Sequence, residues 1–329
     1  MSADGHGDPA QTAGVFDPIV WVNGERLSDH RRSVSARDRG FTLGDGVFET
    51  MRLCRGHVFR HAQHRHRLRH GLSILSIQEP AQLDAWIACA VHDSRPLQSQ
   101  TRPDQGRAGD EGTAAALRVT VTRGVGPAGL APPPQAHPTV VVSVAPLPLV
   151  APTVYARGLT AQVARGRRNE RSMTAGIKTT AYADAVIALL EAERDGADEA
   201  IFLDTQDRVS EATASNLFVV SGRRLLTPPR SCGALPGITR EVVMELAGRA
   251  GLSAVEEAFD LRTLLSGEEA FLTSSLRGLV PLVRVNGQAL GAGTPGACTR
   301  ALSDAYWHVV EGEVEGDLLP GDAPARLGE

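Results

Sequence analysis

NERSMTAGIKTTAYADAVIALLEAE, residues 169–193, sets one lysine at the head of a run that is otherwise small and apolar. Downstream of Lys178, the residues Tyr182, Ala185, Val186, Leu189 and Leu190 recur at helical spacing, which predicts a helix with that stripe inward. A lysine just ahead of such a stripe either enters a pocket or lays its stem on the surface with the ammonium in water, as lysines ordinarily do. A buried amine is favoured only if residues elsewhere give it something to do.

Working outward toward the N-terminus, IVWVNGERL places Asn23-Gly24 between two short apolar runs, a strong hairpin signal. GVFETMRLCRGHVF predicts a second hairpin turning near Arg55-Gly56. His64, Leu68, Leu72 and Leu75 mark one face of a helix over 61–75, and a second helix is expected over 81–92. The polar, Pro- and Gly-bearing stretch 94–112 reads as a loop or disordered insert. Two strands, ALRVTVTRG and TVVVSVAPL, complete a small N-terminal domain over 18–145. APLPLVAP, 145–152, with prolines that suit neither a helix interior nor a central strand, is the expected interdomain connection.

Toward the C-terminus, strands are expected at 159–164, EAIFLDT, NLFVV and EAFLTSS, with a hairpin at SGRRLLT and a helix from Thr239 to Ala250. A larger domain over 153–313 follows, with flexible tails at 1–17 and 314–329. Strands and helices are mixed rather than strictly alternating, so the fold class is α+β rather than a doubly wound sheet.

Composition excludes several function classes. Net charge is -4 over 329 residues, with 22% charged and 4% aromatic, so neither a nucleic-acid nor a membrane partner is expected. No apolar run reaches the length needed to span a bilayer. The opening MSADGHGDPAQTAG has no apolar core and reads as a frayed tail, not a signal peptide. Cys54, Cys89, Cys232 and Cys298 lie far apart, fit neither a zinc spacing nor a disulfide framework, and suit a reducing cytoplasm.

Beside Lys178, three places carry candidate chemistry. Glu211, in RVSEATASNLF, precedes a buried-looking strand and is either a site carboxylate or a solvated strand end. In GALPGITREVV, Pro236 and Gly237 break the chain and Thr239 can cap the following helix, whose free N–H groups suit a phosphate as well as an ordinary cap. Thr273, Ser274 and Ser275 form either an anion-binding strand end or a plain turn. Arg67, on the helix RHAQHRHRLRH, can add positive charge. His66 and His70 lack the companion ligands that a metal site needs, and no metal is expected. One amine, one carboxylate, a helix start, a hydroxyl cluster and an arginine together suit a cofactor with an aldehyde, a pyridine nitrogen and a phosphate.

RDRGFTLGDGVFET, GIKTTAY, VSEATASNLF, TPPRSCGALPGITRE and FLTSS resemble the class IV aminotransferases, fold-type IV enzymes that use pyridoxal 5'-phosphate (PLP), and the likeness runs from about Val20 to Val310. It implies a two-domain α+β fold, with a small N-terminal α/β domain and a larger domain built on a mixed sheet or barrel-like core. It implies that Lys178 forms the internal aldimine and shuttles a proton between substrate Cα and cofactor C4'. By the same resemblance Glu211 pairs with the pyridine N1 and the Tyr182 hydroxyl faces the phenolic oxygen. Arg67, Gly237, Ile238, Thr239, Ser274 and Ser275 hold the phosphate, Asn216 lies near the site, and Phe48 and Thr50 contact substrate. Ala212 stands where many relatives have glycine.

Within the family, Ala128 and Leu130 replace the arginine and histidine of D-amino acid transaminases. VTRGVGPAGLAP and TPPRSCGALPGITRE look most like branched-chain L-amino acid transaminases, whereas Thr50 in VFET is common among 4-amino-4-deoxychorismate lyases. The resemblance therefore implies transfer of an amino group from an amino acid to a 2-oxo acid, with the lyase as the alternative. It also implies a homodimer with a loop reaching into the partner's site.

Overall fold

The computed structural model describes residues 18–28, 34–95, 114–147 and 150–316. Apart from their edges, the tails and the insert expected from the sequence lie outside these residues.

Strands β1 (Ile19–Val22), β2 (Glu25–Arg26), β3 (Gly46–Cys54), β4 (His57–Val58), β5 (Ala114–Thr122) and β6 (Thr139–Pro146) form one sheet in the order β2-β1-β6-β5-β3-β4. Every pairing in it is antiparallel, so this half is α+β rather than α/β. Both expected hairpins form. Asn23 and Gly24 have φ of 49° and 88°, and Arg55 and Gly56 have 49° and 85°, the left-handed pairs that match the twist of two-residue hairpins.

Helices α2 (His61–Ile74) and α3 (Leu83–Asp93) cover one face of this sheet; α1 (Arg39–Leu43) is a single turn ahead of β3. Leu68, Leu72, Leu83 and Ile87 pack there on Val47, Met51, Leu53, Leu117, Val119 and Val121. Period-2 alternation turns Phe48 and Thr50 of β3, with Arg118 of β5, to the opposite face, and Thr50 pairs directly with Arg118.

The proline-rich connection is shorter than its composition suggests. β6 runs on to Pro146, and helix α4 (Pro152–Arg157) starts at the last proline of that stretch. Pro146 is tolerated because β1 pairs no further along β6 than Val144, leaving β5 as the single neighbour there. Pro152 occupies the first helical turn, where its missing N–H has no partner to lose.

The second sheet contains β7 (Leu159–Arg168), β8 (Glu199–Asp204), β9 (Val209–Ala212), β10 (Asn216–Ser221), β11 (Arg224–Thr227), β12 (Ser253–Glu256), β13 (Glu269–Ser274), β14 (Gly278–Val285) and β15 (Gln288–Ala289). Its order is β12-β11-β10-β13-β14-β7-β8-β9, with β15 beside β14. β14 to β7, β7 to β8 and β11 to β12 are parallel and the rest antiparallel, so the sheet is mixed. The last strand, β9, is joined to β10 by three residues, and Ala212 N donates to Ser215 O at 2.8 Å, which obliges the sheet to curl back on itself.

Alternation along β10 sends Leu217 and Val219 into the curl with Ile201, Leu226 and Leu272. Phe218 and Val220 turn out to helices α6 (Ile238–Leu246) and α8 (Ala297–Gly316), where Phe218 stacks on Phe271 at 5.1 Å. Burying each such ring contributes roughly 2–3 kcal/mol. The same outer core takes in Cys54, Phe59 and Ala114, so it joins the two sheets. Helix α7 (Leu261–Leu265) closes one end, with Asp260 as its cap.

The helix after Lys178, α5 (Ala183–Arg194), differs from its expected face. Ala185, Ala188 and Ala192 are buried, whereas Val186 and Leu190 are 53% and 46% exposed. Alanines let the helix lie close on β7 and β8, where Ala164, Ala200 and Phe202 meet it, and the bulkier side chains are turned to the flank. β7 also outruns its expected end by four residues. A register shift between Val163 and Arg167 carries its last residue, Arg168, toward the site.

Candidate active site

A cavity of about 690 Å³ opens between the two sheets, and Lys178, Glu211, Arg67, Tyr182, Asn216, Gly237, Ile238, Thr239, Ser274, Ser275, Phe48 and Thr50 all line it. Every site residue expected from the sequence is thus brought to one place.

Lys178 stands in an extended segment pinned to the edge of β3. Phe48 N donates to Lys178 O at 2.9 Å, and Thr180 N to Gly46 O at 3.0 Å. Gly176, with φ +75°, supplies the left-handed turn that leads into it. The Lys178 amine donates to the Tyr182 hydroxyl at 3.1 Å and lies 4.6 Å from the Phe48 ring centroid. It enters the cavity and does not snorkel.

Glu211, in β9, is 9% exposed. Its Oε2 accepts from Leu235 N at 2.8 Å, and its Oε1 lies 3.1 Å from Arg168 Nη2. Burial pushes this carboxyl above its ordinary value, while Arg168 and the Leu235 amide pull it back. Ala212 is fully buried inside the curl, so its methyl group is accommodated as core.

Arg67 is held from behind by Glu49. Its Nε and Nη2 each donate to one Glu49 oxygen at 2.7 Å, and its Nη1 donates to Pro236 O at 2.7 Å. His64 Nδ1 adds a contact to Glu49 at 2.7 Å. Burial alone would raise Glu49, but the bonds from Arg67 and His64 bring its pKa down to about 2. Burial lowers the His64 pKa against the pull of the Glu49 carboxylate.

Helix α6 begins at the cavity with Gly237 as its cap residue and no side-chain cap. The expected cap, Thr239, lies instead inside the first turn, buried, with its hydroxyl 3.5 Å from Tyr306 Oη. The N–H groups of that turn therefore have no side-chain acceptor. Asn216 braces the approach through Nδ2 to Leu235 O at 2.8 Å, and a Cβ on Gly237 would run into its Oδ1. Across from the helix start, the buried Thr273 Oγ1 has no hydrogen-bond partner among the described residues.

Against this geometry, the family model for amino-transferase class IV matches residues 46–285. The chain belongs to the class IV aminotransferases. It is 31% identical over 287 residues to a putative branched-chain-amino-acid aminotransferase of Methanocaldococcus jannaschii, covering 87% of this chain and 94% of the relative. Among solved structures, the branched-chain amino acid aminotransferase of Escherichia coli is 26% identical with a TM-score of 0.79, covering 91% of this chain and 97% of the other. The 4-amino-4-deoxychorismate lyase of Pseudomonas aeruginosa is also 26% identical, with a TM-score of 0.74, covering 91% and 99%. This family is PLP-dependent, and its fold is the α+β fold with a curled mixed sheet described above.

Three arginines and a glutamate of this aminotransferase were not singled out from the sequence. Glu49 follows Phe48 in VFET, and its alternate register already assigns it to the α2 side of β3. Arg118 falls at a polar position in the alternation of ALRVTVT, on the face turned from the core; its guanidinium lies 3.7 Å from the Phe48 centroid, with no carboxylate partner among the described residues. A charged residue at such a position is also what a solvated strand face carries, so nothing in the sequence marked it. Arg168 and Arg277 carried no mark either, because only the register shift in β7 brings Arg168 to Glu211 and only the turn after β13 brings Arg277 to the cavity.

Proposed function

We propose that the protein is a PLP-dependent aminotransferase of the branched-chain L-amino acid type, moving an amino group to a 2-oxo acid at Lys178. The observation that carries this reading is the convergence of the Lys178 amine and the Glu211 carboxylate with Arg67 and the uncapped start of α6 in one cavity. The donor set fits PLP: an amine for an aldehyde, a carboxylate for a pyridine nitrogen, and unsatisfied donors for a phosphate, with Thr273 Oγ1 as a further one.

When bound, PLP supplies an electrophilic aldehyde and an electron-withdrawing ring. Lys178 would hold the aldehyde through its amine and, as the free amine, would be the base placed for the proton on substrate Cα. Tyr182, at hydrogen-bond distance from that amine, orients it. Glu211, anchored by Leu235 N and Arg168, holds a proton at the pyridine nitrogen. Arg67, fixed by Glu49, holds the phosphate together with the N–H groups at Ile238 and Thr239 and the hydroxyls of Ser274 and Ser275. Phe48, Val150 and Leu276 offer an apolar wall for an aliphatic side chain, and Arg118 a cation for a substrate carboxylate.

The names of the relatives support the branched-chain assignment. Aminodeoxychorismate lyase is the second reading, favoured by Thr50 in the cavity wall and by the lyase neighbour. The division into domains at 18–145 and 153–313 is part of the same proposal, supported by the two sheets each drawing strands from one side of the connection. So is a homodimer, supported by the exposed apolar side chains Phe41, Leu130 and Met173. A cytoplasmic location accords with four free cysteines. Among the described residues no helix is long and apolar enough to cross a membrane.

L-leucine should bleach the visible band of the loaded enzyme and yield its 2-oxo acid, and borohydride should fix the cofactor on Lys178, read by peptide mapping. Pyruvate release from aminodeoxychorismate, with no keto acid from any amino acid, selects the lyase instead. Label on another residue removes Lys178 from the chemistry.

A further inference from the structure

Alternation along β3 puts Val47, Met51 and Leu53 under the helices and turns Phe48, Thr50, Arg52 and Cys54 to the opposite face. Phe48 and Thr50 line the cavity, and Cys54 belongs to the outer core that joins the two sheets. Arg52 stands between them, at the boundary, and is 2% exposed. An arginine is almost never buried so fully without a specific engagement.

That engagement is with the second sheet. Arg52 Nη1 donates to Leu276 O at 2.9 Å, and its guanidinium carbon lies 4.5 Å from the centroid of the Trp307 ring on α8. The same indole closes on Gly278, where an added Cβ would stand 2.7 Å from it. Gly278 pairs with Ser274 across the three-residue turn Ser275–Arg277 that joins β13 to β14. The next carbonyl of that turn, Arg277 O, accepts from Tyr155 Oη on α4 at 3.0 Å. Two successive carbonyls are thus held by side chains that do not line the cavity, whereas Ser274 and Ser275 do line it.

The candidate cofactor site is built in two halves. Lys178 is pinned to β3 through Phe48 N, and Arg67 is fixed by Glu49 of the same strand. Glu211, the start of α6 and the two serines belong to the second sheet and its helices. Arg52 rises from the strand that carries the first half and grips the turn that carries part of the second. Resting on the PLP reading above, we propose that Arg52 is a positioning residue. It fixes the Ser275–Arg277 turn so that the hydroxyls of Ser274 and Ser275 meet the phosphate in step with Lys178 and Arg67. A planar guanidinium both donates and stacks, which a lysine ammonium does not reproduce.

Binding of pyridoxal 5'-phosphate and of pyridoxal to the apoprotein, each read by spectral titration, tests this without turnover. Arg52→Met should weaken the phosphate ester about tenfold and leave pyridoxal within about twofold, and Arg52→Lys should recover only part of the loss. Replacing Ser274 and Ser275 together with alanine should cost the wild type severalfold in affinity for the phosphate ester. The same change should cost Arg52→Met much less, because the turn has already moved. If Arg52→Met does not fold, Tyr155→Phe, which removes one hydroxyl behind the turn, carries the same comparison with a loss of about threefold. Equal weakening of both ligands makes Arg52 a general support of the core and overturns the assignment. So does an unchanged affinity for the phosphate ester in the variant that folds, or strict additivity of the arginine and serine changes. The wild type is titrated first: absence of a visible band with the phosphate ester sinks the PLP reading itself, whereas a normal wild type with insensitive variants sinks only the role of Arg52.

Discussion

Replacing Glu49 with glutamine should destabilise the apoprotein strongly at neutral pH and much less in acid. Glu49 is 1% exposed, and both its oxygens accept from Arg67 at 2.7 Å, with His64 adding a third contact. Its pKa falls from 4.5 to about 2, a difference worth about 3 kcal/mol. A depressed carboxyl pKa gives stability that is present in full above the unfolded value and is lost as pH falls through the folded one. The contribution should therefore shrink from about 3 kcal/mol at pH 7 to roughly 1 kcal/mol at pH 3. Glutamine cannot ionise, so the gap between the two proteins should narrow over that window. Arg67, whose side chain is 9% exposed, is left as a buried cation without its carboxylate, which places the neutral-pH cost at about 3–5 kcal/mol. Urea denaturation of both apoproteins at pH 7, 5 and 3 reads this directly, with the cofactor removed so that ligand linkage does not enter. A gap below about 0.5 kcal/mol at pH 7, or one that does not change with pH, would refute the account of Glu49 as the ionised anchor of Arg67.

Arg168→Gln takes away the cation beside Glu211 and should weaken PLP binding about tenfold, with lysine recovering part of it; affinity within twofold in a spectral titration contradicts that role. Thr273→Val removes a hydroxyl that has no hydrogen-bond partner among the described residues, so apoprotein stability should move by less than about 0.5 kcal/mol while cofactor affinity drops severalfold. A stability loss with unchanged affinity assigns that hydroxyl to the core instead. Gly237→Ala should cost about 2 kcal/mol or more through the clash with Asn216 Oδ1. Adding Asn216→Ala should return part of that cost, and strict additivity of the two changes in a denaturation cycle would show that they do not meet.

Much of the architecture is legible in linear order because it depends on near neighbours. The Asn23-Gly24 and Arg55-Gly56 turns, the strand alternation in VFETMRL and ALRVTVT, and the helix face His64-Leu68-Leu72 are each set within a few residues by backbone sterics and side-chain period. The candidate site residues were legible only together: Lys178, Glu211 and the 236–239 turn each allow a plain surface or capping reading, and their combination within motifs that resemble the family singled them out. Where local pattern and packing competed, packing decided. The stripe Val186 and Leu190 has helical spacing, but the contact surface against β7 and β8 admits only alanines, so the larger side chains stay exposed.

Only the tertiary structure settles which charges meet. Glu49 and Arg67, Arg168 and Glu211, and Arg277 and Glu199 are separated by 18, 43 and 78 positions. No periodicity encodes such a pairing, since it depends on strand register, a shift in β7 and the turn after β13. The chain by itself determined its elements and the types of group available for chemistry, because those follow from short-range sterics and residue type. Which groups face one another across the cavity between the sheets depended on long-range packing, through which burial and ion pairing set their charge.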